Sequence, residues 1–353
     1  MPASTPAMHV VPVIYETRPS DMVGVKLLLL SLRRHHPDLR PVVILPNVTD
    51  VESAWLAEHT DATLRNDLAS ELSTWNVKPD VLGRLVDEQP DETFLWIDSD
   101  IVLHKPMPPV VFEGSPDDFV VAEEYRLARQ PGTKVRTRQW GYQEARRLNC
   151  TVNSCILRLT KTHKPLLAEW MRLTSLPEYQ SVQKQDWRTR PLHMVGGQDI
   201  LTGLLGSKEF AHIHLRWVRR GRDIAQCYES RGYPANERLA NLFRGLPPFV
   251  HAQGEKPWRE HRSALSMDVA PLKYVARDYP EALGVAEGEL DGWTDPLTPT
   301  GRLVDRLLLG NPNLVGLPST VAGEAKWLLK RTAAVLSGAT RREVGPPRSE
   351  PPA

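Results

Sequence analysis

Cysteine is scarce: only Cys150, Cys155 and Cys227 occur in 353 residues, and no two of them form a CxxC pair. An odd count without paired spacing argues against a fully paired disulfide scaffold and fits a reducing compartment with buried thiols. Long apolar runs are missing too. The stretch Leu27 to Leu30 is very short and lies between Lys26 and Arg33-Arg34, so no membrane-spanning segment is expected. No basic segment followed by an apolar one opens the chain, which speaks against a secretory leader and for a cytoplasmic location. Charge of one sign is absent: 44 basic and 43 acidic side chains leave a net charge of +1. That balance gives no general reason to bind nucleic acid. No internal repeat is visible. What remains is an ordinary soluble composition, 41% hydrophobic and 25% charged, long enough for one large domain with its own core.

The order of elements is α/β. His9 to Tyr15 reads as a β-branched strand, and Asp21 to His36 as a helix with Val25, Leu28, Leu29 and Leu32 on one face. A strand at Pro41 to Leu45 and a helix at Asp50 to His59 follow. Lys78 to Glu88 reads as a helix before the near-continuously apolar Thr93 to Ile97, the pattern of a buried parallel strand. Asp118 to Ala122, Cys155 to Leu159 and Phe249 to His251 read as further strands, and His163 to Leu173 and Ile200 to Leu205 as helices. Together these imply a mixed, mostly parallel sheet flanked by helices. A compact domain is expected over residues 7–262, a partly helical extension over 263–340 and a disordered tail over 341–353. Within the extension, Val321 to Leu336 has a helical period with Ala325, Leu328, Leu329 and Val335 on one side, flanked by Lys326, Lys330 and Arg331. It reads as a helix packed on the domain, with peripheral contact to the inner face of a membrane as the alternative.

The apolar strand Thr93 to Ile97 runs straight into Asp98-Ser99-Asp100. Open parallel sheets bind ligands beyond the carboxyl ends of their strands. Two carboxylates set beside a buried strand are costly unless water or a cation compensates them. Hard oxygen donors suit Mg²⁺ or Mn²⁺, and a diphosphate can complete such a shell.

With that triplet the chain resembles the metal-dependent GT-A glycosyltransferases, specifically the glycogenin and lipopolysaccharide galactosyltransferase-like group (glycosyltransferase family 8) and its bacterial relatives. The resemblance is carried by Phe94-Leu95-Trp96-Ile97-Asp98-Ser99-Asp100, by Asn153-Ser154-Cys155-Ile156-Leu157, by Gly197-Gln198-Asp199-Ile200-Leu201 and by His251-Ala252-Gln253-Gly254-Glu255-Lys256-Pro257-Trp258. It implies a GT-A nucleotide-diphospho-sugar transferase fold and a hexosyltransferase moving a sugar from a nucleoside-diphosphate sugar, UDP by the family's habit, to a carbohydrate, lipid or small-molecule hydroxyl. It also implies Asp98, Asp100 and His251 as ligands of Mn²⁺ (or Mg²⁺), Gly254 as the point of close backbone approach and Lys256 as the diphosphate contact. Ser99 lies within the metal triplet. Lys78 and Arg84 are the candidate basic residues near the nucleotide, and Tyr15 is a candidate to stack on its base or to sit in the core. Asn153 and Ser154 are candidates for the sugar pocket, or for a loop capping the next strand.

The third block departs from the family, where many relatives read Asp-Gln-Asp and this chain has Gly197 in the leading place. Gln198 is a candidate to face the anomeric carbon, but its uncharged amide is a poor nucleophile. Asp199 is a candidate to bind a sugar hydroxyl or orient the acceptor, or to cap the following helix. With no carboxylate nucleophile visible, the expected step is a front-face displacement, and the resemblance implies retention of configuration. Of two arginine-rich stretches, Arg126 to Arg147 reads as a surface loop and helix that departs from the family as an insert, and His212 to Arg222 as a solvated face or a contact for an anionic acceptor. The rival from another class is a non-catalytic nucleotide- or carbohydrate-binding protein on the same fold. A sugar-phosphate nucleotidyltransferase is disfavoured, because Glu16-Thr17-Arg18-Pro19 lacks the glycine run such enzymes place after the first strand.

Overall fold

The computed structural model describes residues 8–72, 74–124, 132–254, 256, 258, 270–284 and 311–336. The first half of the chain alternates strand and helix: β1 (Val11–Tyr15), α1 (Met22–His35), β2 (Val42–Ile44), α2 (Asp50–His59), β3 (Thr63–Arg65), α3 (Lys78–Glu88) and β4 (Phe94–Ile97). α2 opens on a capping box in which Thr49 and Glu52 satisfy each other's backbone N–H groups. β5 (Ile101–Leu103), β6 (Phe119–Glu123), α4 (Gly132–Gln139), β7 (Val152–Leu159), α5 (Lys164–Thr174), α6 (Pro177–Gln183), α7 (Gly197–Leu205), β8 (Leu215–Val218) and β9 (Ile224–Gln226) follow. The remaining elements are α8 (Glu229–Gly232), α9 (Ala235–Asn241), β10 (Phe249–His251), α10 (Ala270–Ala276), α11 (Pro280–Leu283), α12 (Pro312–Val315) and α13 (Leu317–Leu336).

Seven strands form one sheet in the order β3-β2-β1-β4-β7-β6-β8, and β7 alone runs against its neighbours. Side-chain alternation divides the core in two. Val13, Tyr15, Phe94 and Trp96 face the layer that holds α3, α5 and α7; Ile14, Leu95 and Ile97 face α1 and α2. A second sheet, β5-β10-β9, covers the far side of α1, and Leu27, Val102 and Val250 share a third core cluster with Leu272, Val275 and Ala276 of α10.

The mixed, mostly parallel sheet is the architecture expected from the strand–helix alternation. The differences are at its short strands. β3, β8 and the β5-β10-β9 sheet have no counterpart in the sequence reading, except the run at 249–251, because three or four residues are too few to show alternation. The strand expected from Cys155 begins at Val152, so Asn153 and Ser154 lie inside β7 and not in a loop before it. Part of the expected extension and the whole expected tail, 341–353, lie outside the described residues, as does 125–131 of the arginine-rich stretch.

Candidate metal and phosphate site

β1 lies between β2 and β4, and the chain leaves it toward β2 before crossing back to β4 on the other side. Such a reversal of strand order opens a crevice at the carboxyl ends. Asp98, Ser99 and Asp100 occupy it. The Asp98 N–H still donates to Cys155 O (2.9 Å), and the Ile101 N–H donates back to Asp98 O (3.1 Å), so the triplet is a tight turn joining β4 to β5. The Ser99 hydroxyl points inward and donates to Glu16 Oε2 (2.7 Å), tying the turn to the end of β1. Below it α1 presents Gly24, where a Cβ would lie 2.6 Å from Ser99 O and 2.9 Å from the Trp258 ring.

The two carboxylates are held differently. Asp98 Oδ1 accepts from Trp96 Nε1 and from the Lys78 ammonium, each at 2.7 Å. Lys78 is buried and also donates to Ser154 O (2.8 Å) and Ser154 Oγ (3.0 Å). An ammonium has three donors, so these contacts use all of them. Asp100 Oδ1 lies 3.2 Å from His251 Nε2, and Oδ2 accepts from Lys256, which also donates to Ala252 O. Strand register brings the histidine there: β10 pairs antiparallel with β5, His251 stands opposite Ile101, and the Ala252 N–H donates to Asp100 O (2.9 Å).

One ligand atom from each of Asp98, Asp100 and His251 fits within a mutual spread of 4.8 Å. A hard cation with bonds of ~2.1–2.5 Å spans a set about 4–5 Å across. Two carboxylates and an imidazole suit Mn²⁺ or Mg²⁺ better than a soft metal. A stand-in positive charge is already present, since the Lys256 ammonium sits on Asp100. Burial works to raise the Asp100 carboxyl, but Lys256 and His251 beside it outweigh that and hold it well below the usual carboxylate range. Asp100 is therefore ionised, with the Lys256 ammonium as its counter-ion.

The other sequence-derived candidates fall around this centre. Asn153 is buried; its Oδ1 accepts from the Cys155 N–H (3.0 Å) and its Nδ2 donates to Gln253 Oε1 (3.3 Å), two residues past His251. The Gly254 N–H donates to Cys227 O (2.8 Å), so the segment after His251 is pinned to the second sheet. Gln198 donates its amide to Glu124 Oε2 (2.5 Å). Asp199 is buried and accepts from Arg136 Nε (2.7 Å), and the cap of α7 is Gly196, not Asp199. Burial pushes the Asp199 carboxyl up despite the Arg136 charge. Tyr15 and Arg84, the candidates for the nucleotide, both have partners within the protein. The Tyr15 ring stacks on Trp96 with centroids 6.3 Å apart, and its hydroxyl accepts from the Ser70 N–H (3.4 Å). Arg84 donates to Leu68 O, Ala69 O and Asp80 Oδ2 at 2.8–3.2 Å, bracing the loop before α3.

Gly197 has a local reason. A Cβ there would lie 3.1 Å from Asn76 Oδ1, a tight approach, and in ordinary contact with Trp75 O (3.4 Å) and Trp170 Nε1 (3.6 Å). Sequence reasoning missed Glu124, although it follows the buried strand β6 as Asp98 follows β4. A bulge between Val121 and Ala122 shifts the β6 register before it reaches this end. Sequence reasoning also left open where the arginines point. Arg216, Arg219, Arg220 and Arg222 each pair with a carboxylate, from Glu113 or Asp118, Glu123, Glu237 and Asp223 respectively, so the second basic stretch is internally compensated.

Solved structures similar to this chain include glycosyltransferases. The apo structure of the WbbM bifunctional glycosyltransferase is 12% identical with a TM-score of 0.47, over 83% of this chain and 53% of that one, so the present chain spans about half its length. The galactosyltransferase LgtC in complex with donor and acceptor sugar analogues is 16% identical with a TM-score of 0.46, over 80% of this chain and 100% of that one. Mouse xyloside xylosyltransferase 1 in its apo form is 12% identical with a TM-score of 0.42, over 72% and 99%. No protein-family model and no curated protein sequence matches this chain.

Proposed function

We propose that this chain is a GT-A type glycosyltransferase that moves a sugar from a nucleoside-diphosphate sugar, of the UDP class, to a hydroxyl of a carbohydrate, lipid or small-molecule acceptor. The observation that carries this reading is the meeting of Asp98, Asp100 and His251 at the switch point of a mostly parallel sheet, with Lys256 on the same carboxylate. Asp98, Asp100 and His251 would hold a divalent cation, Mn²⁺ or Mg²⁺, which offsets the charge gathering on a departing diphosphate. Lys256, released from Asp100, donates to that diphosphate. Lys78, the basic residue expected near the nucleotide, fixes the Asp98 carboxylate in place and sets a positive charge beside the site. Asn153 at the start of β7 and Gln198 in the first turn of α7 offer amide groups to sugar hydroxyls. An amide does not make a useful nucleophile, so the acceptor oxygen attacks the anomeric carbon on the face the diphosphate leaves. Its proton passes to the leaving phosphate oxygen, and configuration is retained.

The test is a donor screen with Mn²⁺ that reads release of the nucleoside diphosphate. One donor should turn over, and Asp98→Ala and Asp100→Ala should each abolish it. Activity that survives both substitutions and EDTA would overturn the metal assignment. Binding of a nucleotide with no turnover of any donor would favour a binding protein. NMR of the first-formed product reads the stereochemistry, and an inverted linkage would remove the front-face step.

A further inference from the structure

The last described helix, α13, has two unlike faces. On one, Thr320 is buried, Glu324 Oε1 accepts from the Ala235 N–H (3.2 Å), and the helix lies against α8 and α9. Trp327, half-buried, continues that stripe. With about 3.6 residues per turn, Val321, Ala325, Leu328 and Leu329 fall on the opposite side. Val321 is 51% exposed, Leu328 56% and Leu329 72%. Lys326 and Lys330 are exposed along one edge of this apolar face. From Ala325 to Arg342 the sequence holds Lys326, Lys330, Arg331, Arg341 and Arg342 and no acidic residue, in a chain whose overall charge is only +1. No described helix is long and apolar enough to cross a membrane.

We propose that α13 lies flat on an anionic bilayer surface, with Val321, Leu328 and Leu329 at the acyl boundary and Lys326 and Lys330 among the headgroups. A narrow apolar face edged by lysines, with the Glu324 carboxylate turned to the packed side, suits a diffuse negative surface that offers both hydrocarbon and charge. A second copy of the chain suits it less. In a two-fold contact the same patch meets itself, and Lys326 and Lys330 would face their own like charges. The inference is independent of the proposed glycosyl transfer.

The test is co-sedimentation of the full chain with phosphatidylcholine vesicles, with and without phosphatidylserine. Binding should require phosphatidylserine and weaken as salt rises. It should fall about tenfold or more in both L328E/L329E and K326E/K330E, since each basic residue near such a surface adds a roughly additive attraction. All four side chains are exposed, so circular dichroism and donor turnover in solution should match the parent. Three results would overturn the proposal: no difference between the two vesicle types, full binding by both double variants, or a concentration-dependent dimer that L328E/L329E abolishes.

Discussion

Lys256 and Lys78 are both lysines on a carboxylate of the same turn, yet they lead to opposite expectations. Lys256 sits on Asp100, where a metal would compete with it. Lys256→Met should therefore raise Mn²⁺ affinity of the nucleotide-free protein by roughly tenfold, the scale of one ~1.4 kcal/mol charge–charge interaction. The same substitution should lower donor turnover about a hundredfold, because a donor to the leaving diphosphate is lost. Isothermal titration and a diphosphate-release assay measure the two effects. If both fell together, Lys256 would be a structural support only. Lys78 is different because its three donors are spent on Asp98 and Ser154. Lys78→Met should destabilise the fold by about 1–3 kcal/mol in a urea titration, as buried acceptors lose a charged donor. It should weaken metal binding as well, since Asp98 loses its anchor.

Among the elements, the turn between β4 and β5 depends on α1 coming close. A Cβ on Gly24 would meet a backbone carbonyl, Ser99 O, which cannot swing aside as a flexible side chain could. Gly24→Ala should cost about 1–3 kcal/mol by overpacking and should also reduce Mn²⁺ affinity, read by the same two titrations. α4 and α7 are joined by the buried Arg136–Asp199 pair. Arg136→Met should destabilise by about 3–5 kcal/mol, and adding Asp199→Asn should recover part of that loss, because the unpaired buried charge is then gone. The longer elements were legible in sequence: Met22–His35 and Lys78–Glu88 carry one apolar stripe each, and Phe94–Ile97 is wholly apolar. The pairing that matters most was not. β5 and β10 have three residues each, and only their register sets His251 beside Asp100. Resemblance put His251 in the metal set; no local pattern could. The hold of Lys78 on Asp98 and Ser154 was not legible, because it depends on β7 lying beside β4, a long-range fact. The partners of Arg136 and Gln198 were hidden for the same reason, and Glu124 was visible only as a polar residue after a strand.

For the whole molecule, acid sensitivity follows from a histidine away from the metal set. Burial first, then the Arg136 charge, push His193 down to about 4 from 6.5. The unfolded chain protonates this imidazole below about 6.5 while the folded chain does not. Its contribution to stability is therefore complete above pH 6.5 and is lost as pH falls toward about 4. His193→Phe should flatten that part of a melting-temperature profile, and an unchanged slope would assign the acid loss to other groups. The fold and the site meet at a single point, the convergence of two carboxylates and one imidazole. Mn²⁺ titration followed by electron paramagnetic resonance tests it most directly. The expected result is one bound ion per chain in the parent and none at the same concentrations in Asp98→Ala, Asp100→Ala or His251→Ala. An unaltered binding curve in His251→Ala would contradict it.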